Sequence, residues 1–319
     1  MNSFFKNTEN QHFFNENGYV VVKTNTITES VLQKLKALNQ LYTDSAVKIE
    51  SNRGFYLGMD HPDKKLVKDI SISIDNIIFP LFEPIINNYK PFISNFIIKE
   101  PDKEGVLLPH QDWTFIEDEV NNIAITCWIP LDDVDTNNGC MGVIKKSHTF
   151  FKSVRASPPV PFKSSPLSGY DEVVFPYFEW IPMKAGEILF FDYRIIHASL
   201  PNCSNMDRVA VGMWFAKDKA SFCHYYFKPG TEKKLLKYKV NRDFFIKYDN
   251  KTLSALYADN KIIEDYEIVD EIKFMHESIT KQELIQKIED AGNIFQIKYI
   301  KKKSNLKTRI IDRFKSIFM

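Results

Sequence analysis

Between about residue 92 and residue 228 the chain is a succession of short β-type runs broken by turn signals, with no helical period between them. The clearest runs are 92–99, 123–129, 141–144, 187–197 and 208–215. Strands that follow one another without crossover helices exclude a parallel α/β sheet and predict a sandwich or barrel. A chain of 319 residues, 44% apolar, has ample material for the core such a fold needs.

The flanks have a different texture. Asn17-Gly18 is turn chemistry, and 19–22 is a β-branched and aromatic run. Thr26 with Glu29 fits a capping box ahead of Val31, Leu35 and Leu38, which predicts a helix packed outside the β core. The Pro- and Ser-rich segment 152–182 reads as a long surface loop, of the kind that is either disordered or a lid over a site. The expected division is a domain over 1–230 and an extension over 231–319. In the extension, Thr280 and Glu283 make a second capping box before Leu284 and Ile288, and Gly292 is placed to stop that helix.

Charge and cysteine usage narrow the partners. Forty-two basic against 41 acidic residues leave a net charge of +1, so no nucleic-acid partner is implied. The N-terminus lacks a basic stretch followed by an apolar core, and no run approaches the roughly 18 apolar residues of a membrane span. Cys127, Cys140, Cys203 and Cys223 form no CxxC pair, which argues against a zinc ribbon or disulfide scaffold and for a reducing, cytoplasmic compartment. Residues 301–319 carry seven Lys/Arg against one Asp, around an apolar stripe of Leu306, Ile310, Phe314 and Ile317. That pattern fits a membrane-surface helix, giving peripheral membrane association, and equally a terminal helix docked on its own domain.

Two segments carry candidate chemistry. In His110-Gln111-Asp112 the first and third residues project to one face of an extended chain, offering an imidazole nitrogen and a carboxylate oxygen together. Such a pair is two thirds of a mononuclear iron site, and is also what a His and an Asp satisfying each other would look like. The second segment runs from Ala185-Gly186-Glu187 through His197 to Arg208 and Trp214. A hairpin centred between 202 and 203 would place His197 and Arg208 opposite each other, on one side. Arg208 shares its parity with Ala210, Gly212 and Trp214, and the two small residues leave room for a ligand, whereas Val209, Val211, Met213 and Phe215 look like packing. An inward Arg needs an anion, either a bound carboxylate or one from its own chain.

The ordered stretches NGYVVV, HQDWTF, CWIPLDDVDTNNGCMGVIKKSH and GEILFFDYRIIHASLPNCSNMDR resemble the phytanoyl-CoA dioxygenase family of Fe(II)/2-oxoglutarate-dependent oxygenases, over roughly 13–216. The resemblance implies a mainly β fold with flanking helices around a double-stranded β-helix (jelly-roll) core. It implies His110, Asp112 and His197 as Fe(II) ligands, Arg208 as the anchor for the distal carboxylate of 2-oxoglutarate, and Ser199 and Trp128 beside that cosubstrate. The implied reaction consumes O2, releases succinate and CO2, and hydroxylates or otherwise oxidises a C–H bond of a small-molecule or lipid-like substrate. A carboxylate at 112, rather than Gly or Ala, favours hydroxylation over halogenation. Lys145-Lys146 stands where the family has Pro-Gly before Ser147-His148, which bears on that turn's geometry. Two alternatives share the core: a cupin-like metalloenzyme without 2-oxoglutarate, and a catalytically silent binding module. His148 and His224 read as structural, His12, His61 and His276 carry no role, and Asp192 with Arg194 reads as a structural pair. Selectivity is expected in loops such as 152–182.

Overall fold

The computed structural model of the chain describes residues 3–45, 54–101, 105–119, 121–158, 165–231, 233–275 and 277–296; the basic stretch 301–319 and His276 lie outside them. In chain order the elements are α1 (Thr8–Asn17), β1 (Tyr19–Val22), α2 (Glu29–Thr43), β2 (Phe55–Leu57), α3 (Lys64–Ile78), β3 (Tyr89–Lys99), β4 (Leu107–His110), β5 (Ile125–Pro130), β6 (Met141–Val143) and α4 (Asp171–Val174). There follow β7 (Glu179–Ile181), β8 (Ile188–Asp192), β9 (His197–Ser199), β10 (Arg208–Lys217), β11 (Cys223–Phe227), β12 (Lys234–Lys239), α5 (Arg242–Lys247), α6 (Asn250–Ala258), β13 (Glu267–Lys273) and α7 (Lys281–Asp290).

From β3 to β10 the chain crosses repeatedly between two antiparallel sheets, with only β6 and β7 consecutive in one of them: a larger sheet ordered β1-β8-β5-β10-β3-β2 and a smaller one ordered β4-β9-β6-β7. This weaving is the double-stranded β-helix, or jelly-roll. Both faces of the large sheet are buried. Trp128, Leu189, Phe191 and Ala210 face Met141, Val143 and Ala198 of the small sheet. Residues one place along, Cys127, Phe190, Val211 and Met213, pack with Leu35, Ile70 and Ile74 of α2 and α3. A sheet covered on both sides explains why neither parity of these strands reads as polar.

Several local expectations need correcting. The run 187–197 is two strands, because residues 193–196 turn the chain from β8 in the large sheet to β9 in the small one. His197 and Arg208 are therefore not hairpin partners. Arg208 pairs with Lys99 of β3, and His197 pairs with His110. The cap of α2 is Thr28, whose side chain accepts from Val31 N, rather than Thr26. In the segment 152–182 the described part from 165 onward is not a surface loop: Val174, Phe178 and Trp180 sit in the core, and it contributes β7 to the small sheet. Its apolar content, and not its prolines, decides its place.

At one end of the sandwich β11, β12 and β13 form a third sheet, so hydrogen bonding runs across residue 230. Phe244, Phe245 and Tyr248 pack beneath it with Phe92, Phe115 and Trp214. The capping box of Thr280 and Glu283 opens α7, whose Leu284 and Ile288 are fully buried.

Candidate active site

The cross-strand register brings the two histidines together. β4 and β9 pair antiparallel with His110 directly opposite His197, after a bulge between Leu107 and His110 that re-aims the strand end. The ring centroids lie 4.1 Å apart. Asp112 follows two residues beyond the end of β4, with Oδ1 3.7 Å from His197 Nε2. One ligand atom from each of His110, Asp112 and His197 falls within 4.8 Å of the others, a spacing that fits a single metal ion among them.

The surroundings orient these donors. His110 Nδ1 is 2.8 Å from Leu108 O, and His197 Nδ1 is 3.1 Å from Ile195 O. Each imidazole thus engages a carbonyl two residues upstream through Nδ1, which makes Nδ1 the protonated nitrogen and leaves Nε2 as the free base. Burial, together with the neighbouring His197, pushes His110 down to about 4, so the ring is neutral and ready to donate its lone pair. Asp112 Oδ2 accepts from Thr126 Oγ1 at 2.9 Å and from Trp214 Nε1 at 2.9 Å. That leaves Oδ1 free to face the two imidazoles, where it could serve a metal ion. Sequence reading overlooked Thr126 and Trp214 as supports, although Thr126 shares the parity of Trp128 and Trp214 that of Arg208.

Arg208 opens the buried end of the same cavity. It is 3% exposed, its guanidinium carbon stands 5.4 Å from the centre of the Trp128 ring, and Nη1 donates to Ile97 O at 3.3 Å. Among the described residues no carboxylate pairs with it, and Arg208 Nε and Trp128 Nε1 have no hydrogen-bond partner. Burial accordingly pulls its guanidinium down to about 9. The guanidinium Nε–H and the indole N–H, both without a partner at the wall of a cavity, are donors that an anionic ligand would satisfy. Ser199, two residues after His197, lines that cavity as well. Lys99, opposite Arg208, donates to Ser199 O at 3.2 Å and Leu200 O at 2.5 Å and so ties down the end of β9. The space beside Arg208 is smaller than its neighbours suggest, because a Cβ on Gly212 would stand 2.7 Å from Ile97 Cδ1.

The cavity has a volume of about 250 Å³ and takes in His110, Asp112, His197, Ser199, Trp128 and Arg208. Phe55, Leu57, Met59, Phe245, Tyr248 and Asn250 line it as well. No described residue of 152–182 lines it. The remaining candidates stand apart from it. His148 packs against Gly18, whose φ of 80° suits the turn after α1 and whose missing Cβ would fall 2.3 Å from His148 Nδ1. Arg194 pairs with Asp192 at 2.6 Å.

Comparison with known proteins bears on this site. The chain is 29% identical to rat phytanoyl-CoA dioxygenase domain-containing protein 1 over 124 residues, 37% of this chain and 41% of that protein. It is 30% identical to an Arabidopsis thaliana phytanoyl-CoA dioxygenase over 123 residues, 38% of this chain and 42% of the relative. These matches span about two fifths of the relatives' length. A longer match to the peroxisomal phytanoyl-CoA dioxygenase of Bos taurus is 21% identical over 261 residues, 73% of this chain and 74% of the relative. Among solved structures, the non-heme alpha ketoglutarate dependent carbocyclase SnoK from nogalamycin biosynthesis aligns with a TM-score of 0.47 at 22% identity, covering 68% of this chain and 86% of SnoK. The family model for phytanoyl-CoA dioxygenase (PhyH) matches residues 14–210, and the chain belongs to that family.

Proposed function

We propose that the chain is an Fe(II)- and 2-oxoglutarate-dependent dioxygenase that oxidises a C–H bond of a small, largely apolar molecule. The observation that carries this reading is the convergence of a two-histidine, one-carboxylate set and an unpaired buried Arg208 on one cavity. When bound, iron and 2-oxoglutarate supply the oxidising chemistry, with O2 consumed and succinate and CO2 released.

The chain's own residues supply binding and geometry. Nε2 of His110, Nε2 of His197 and Oδ1 of Asp112 hold the metal. Arg208 pairs with the distal carboxylate of 2-oxoglutarate, where a planar guanidinium offers two parallel donors. The indole N–H of Trp128 and the hydroxyl of Ser199 border the same diacid. The wall of Phe55, Leu57, Phe245 and Tyr248 excludes water from the reacting centre and receives an apolar part of the substrate. In this reading the described residues that could select substrate lie in 55–59 and at the α5–α6 junction.

The test is anaerobic addition of Fe(II) and 2-oxoglutarate to the purified protein. A visible charge-transfer band should appear only with both present and should vanish in His110→Ala and Asp112→Ala. A band that survives either substitution, or one that forms without 2-oxoglutarate, overturns the assignment.

A further inference from the structure

Asp112 lies beyond the end of β4 in backbone with no regular structure, so ladder hydrogen bonds do not hold it in place. Its own amide donates to Tyr193 O at 3.0 Å, and its carbonyl accepts from Arg155 Nε at 2.5 Å. Arg155 is buried, with its guanidinium carbon 4.8 Å from the centre of the Tyr193 ring. Glu119 grips the other edge of the guanidinium, with Oε1 2.5 Å from Nη2 and Oε2 3.4 Å from Nη1, and Tyr193 donates its hydroxyl to the same carboxylate. Arg155 backbone also binds the HxD segment: Thr114 N donates to Arg155 O at 3.0 Å, and Arg155 N to Thr114 Oγ1 at 3.1 Å.

Two residues further on, the same segment is stitched to the third sheet. Ser157 N donates to Tyr225 O and Phe227 N to Ser157 O, both at 2.9 Å, while Ser157 Oγ and His224 Nε2 share a 2.6 Å hydrogen bond. Hydrogen bonds thus tie β11 to Ser157, and Arg155 to the carboxylate residue of the proposed metal site, with two peptide units of chain joining the two sets. We propose that Arg155, clamped by Glu119, is a positioning residue for Asp112, and that the third sheet braces the metal site through it. This inference rests on the reading of Asp112 as a metal ligand.

A buried ion pair needs both partners to justify its desolvation, and an arginine spent on a backbone carbonyl gains rigidity there. Supports of this kind, one bond behind a ligand, typically change metal affinity by about 10–100-fold when removed.

The experiment titrates Co(II) into the full chain with 2-oxoglutarate present, following affinity by calorimetry and ligand geometry by visible absorption. Arg155→Gln should weaken Co(II) about 10–100-fold and alter the absorption. Glu119→Gln, which keeps the shape and frees the guanidinium to swing, should change both in the same direction. Arg155→Lys, with its charge kept and its fork lost, should fall between wild type and Arg155→Gln. Arg242→Gln breaks a remote ion pair with Asp75 and should lower thermal stability with Co(II) binding unchanged. If Arg155→Gln fails to fold, Glu119→Gln decides by the same criterion. Wild-type affinity and absorption in the folded Arg155 and Glu119 variants overturn the inference while Asp112→Ala still loses the metal. Co(II) binding unaffected by Asp112→Ala overturns the metal site itself, and this inference with it.

Discussion

Trp214 donates its indole N–H to Oδ2 of Asp112 at 2.9 Å, from the strand that also carries Arg208. One strand therefore steadies the Asp112 carboxylate at one point and carries Arg208, the proposed anion anchor, at another, six residues away. Removing this donor should loosen the carboxylate without touching a ligand.

Trp214→Phe removes the N–H together with the pyrrole ring that carries it, leaving a smaller apolar ring in the cluster with Phe115 and at the cavity wall. Fe(II) or Co(II) affinity should fall about tenfold, the low end for such supports. Thr126→Val should act in the same direction through the other bond to Oδ2, and the double variant should lose more than either. Metal titration of the three proteins checks this; unchanged affinity in both single variants would show that the backbone alone orients Asp112.

Arg208→Ala should weaken 2-oxoglutarate by about 2–5 kcal/mol, the usual loss for half of a buried charge pair, with metal binding largely retained. Burial holds the guanidinium down to about 9, and only its protonated form attracts a carboxylate. Affinity for 2-oxoglutarate should accordingly be level from pH 7 to 8 and decline as the pH rises through about 9. Calorimetry across pH 7–10 measures this in wild type and Arg208→Ala, and equal 2-oxoglutarate affinity in the two proteins at pH 7 would place the anchor elsewhere.

His224 is fully buried among Trp113 and Phe244, and burial pushes it down to about 3. An unfolded imidazole titrates near 6.5, so between about 6.5 and about 3 the unfolded chain binds a proton that the native chain refuses. Folding stability must therefore drop as the pH falls through that window, by about a factor of ten in the equilibrium constant per pH unit for one such group. His110, held low by burial and by His197, adds to the same slope in the metal-free protein. His224→Gln retains a partner for Ser157 and removes the titration. Urea unfolding at pH 5 and pH 7 should show a smaller difference in the variant, and equal differences would contradict the neutral assignment.

Lys146 adopts φ 64°, the left-handed conformation that glycine enters freely, in the turn before Ser147. A non-glycine residue there costs about 1–2 kcal/mol, partly offset by the chain entropy that glycine adds to the unfolded state. Its exposed contact with Glu16, 3.1 Å, contributes little. Lys146→Gly should raise the thermal midpoint by about 1–3 °C, measurable by calorimetry, and a lower midpoint would mean that the lysine side chain matters more than its backbone.

Much of the site was legible because its chemistry is local. His110 and Asp112 share a face two residues apart, and the parity of β10 separates Arg208 and Trp214 from the packing residues Val211, Met213 and Phe215. The hairpin joining His197 to Arg208 failed, because the turn at 193–196 moves the chain to the other sheet, and no local propensity records which sheet a strand will join. The 152–182 segment failed for a related reason. Its Pro and Ser content described the turns, while the burial of Val174, Phe178 and Trp180 depended on a surface formed by distant strands.

Residue order alone determined the β-rich core and the candidate site residues His110, Asp112, His197 and Arg208, since strand period and side-chain chemistry are properties of short segments. Tertiary structure decided the rest: that His110 faces His197 across β4 and β9, that Thr126 and Trp214 aim Asp112, and that Phe245 and Tyr248 from beyond residue 230 close the cavity. Those relationships join residues up to some hundred or more positions apart, and only the packing of two sheets, with a third against their end, brings such groups within bonding distance.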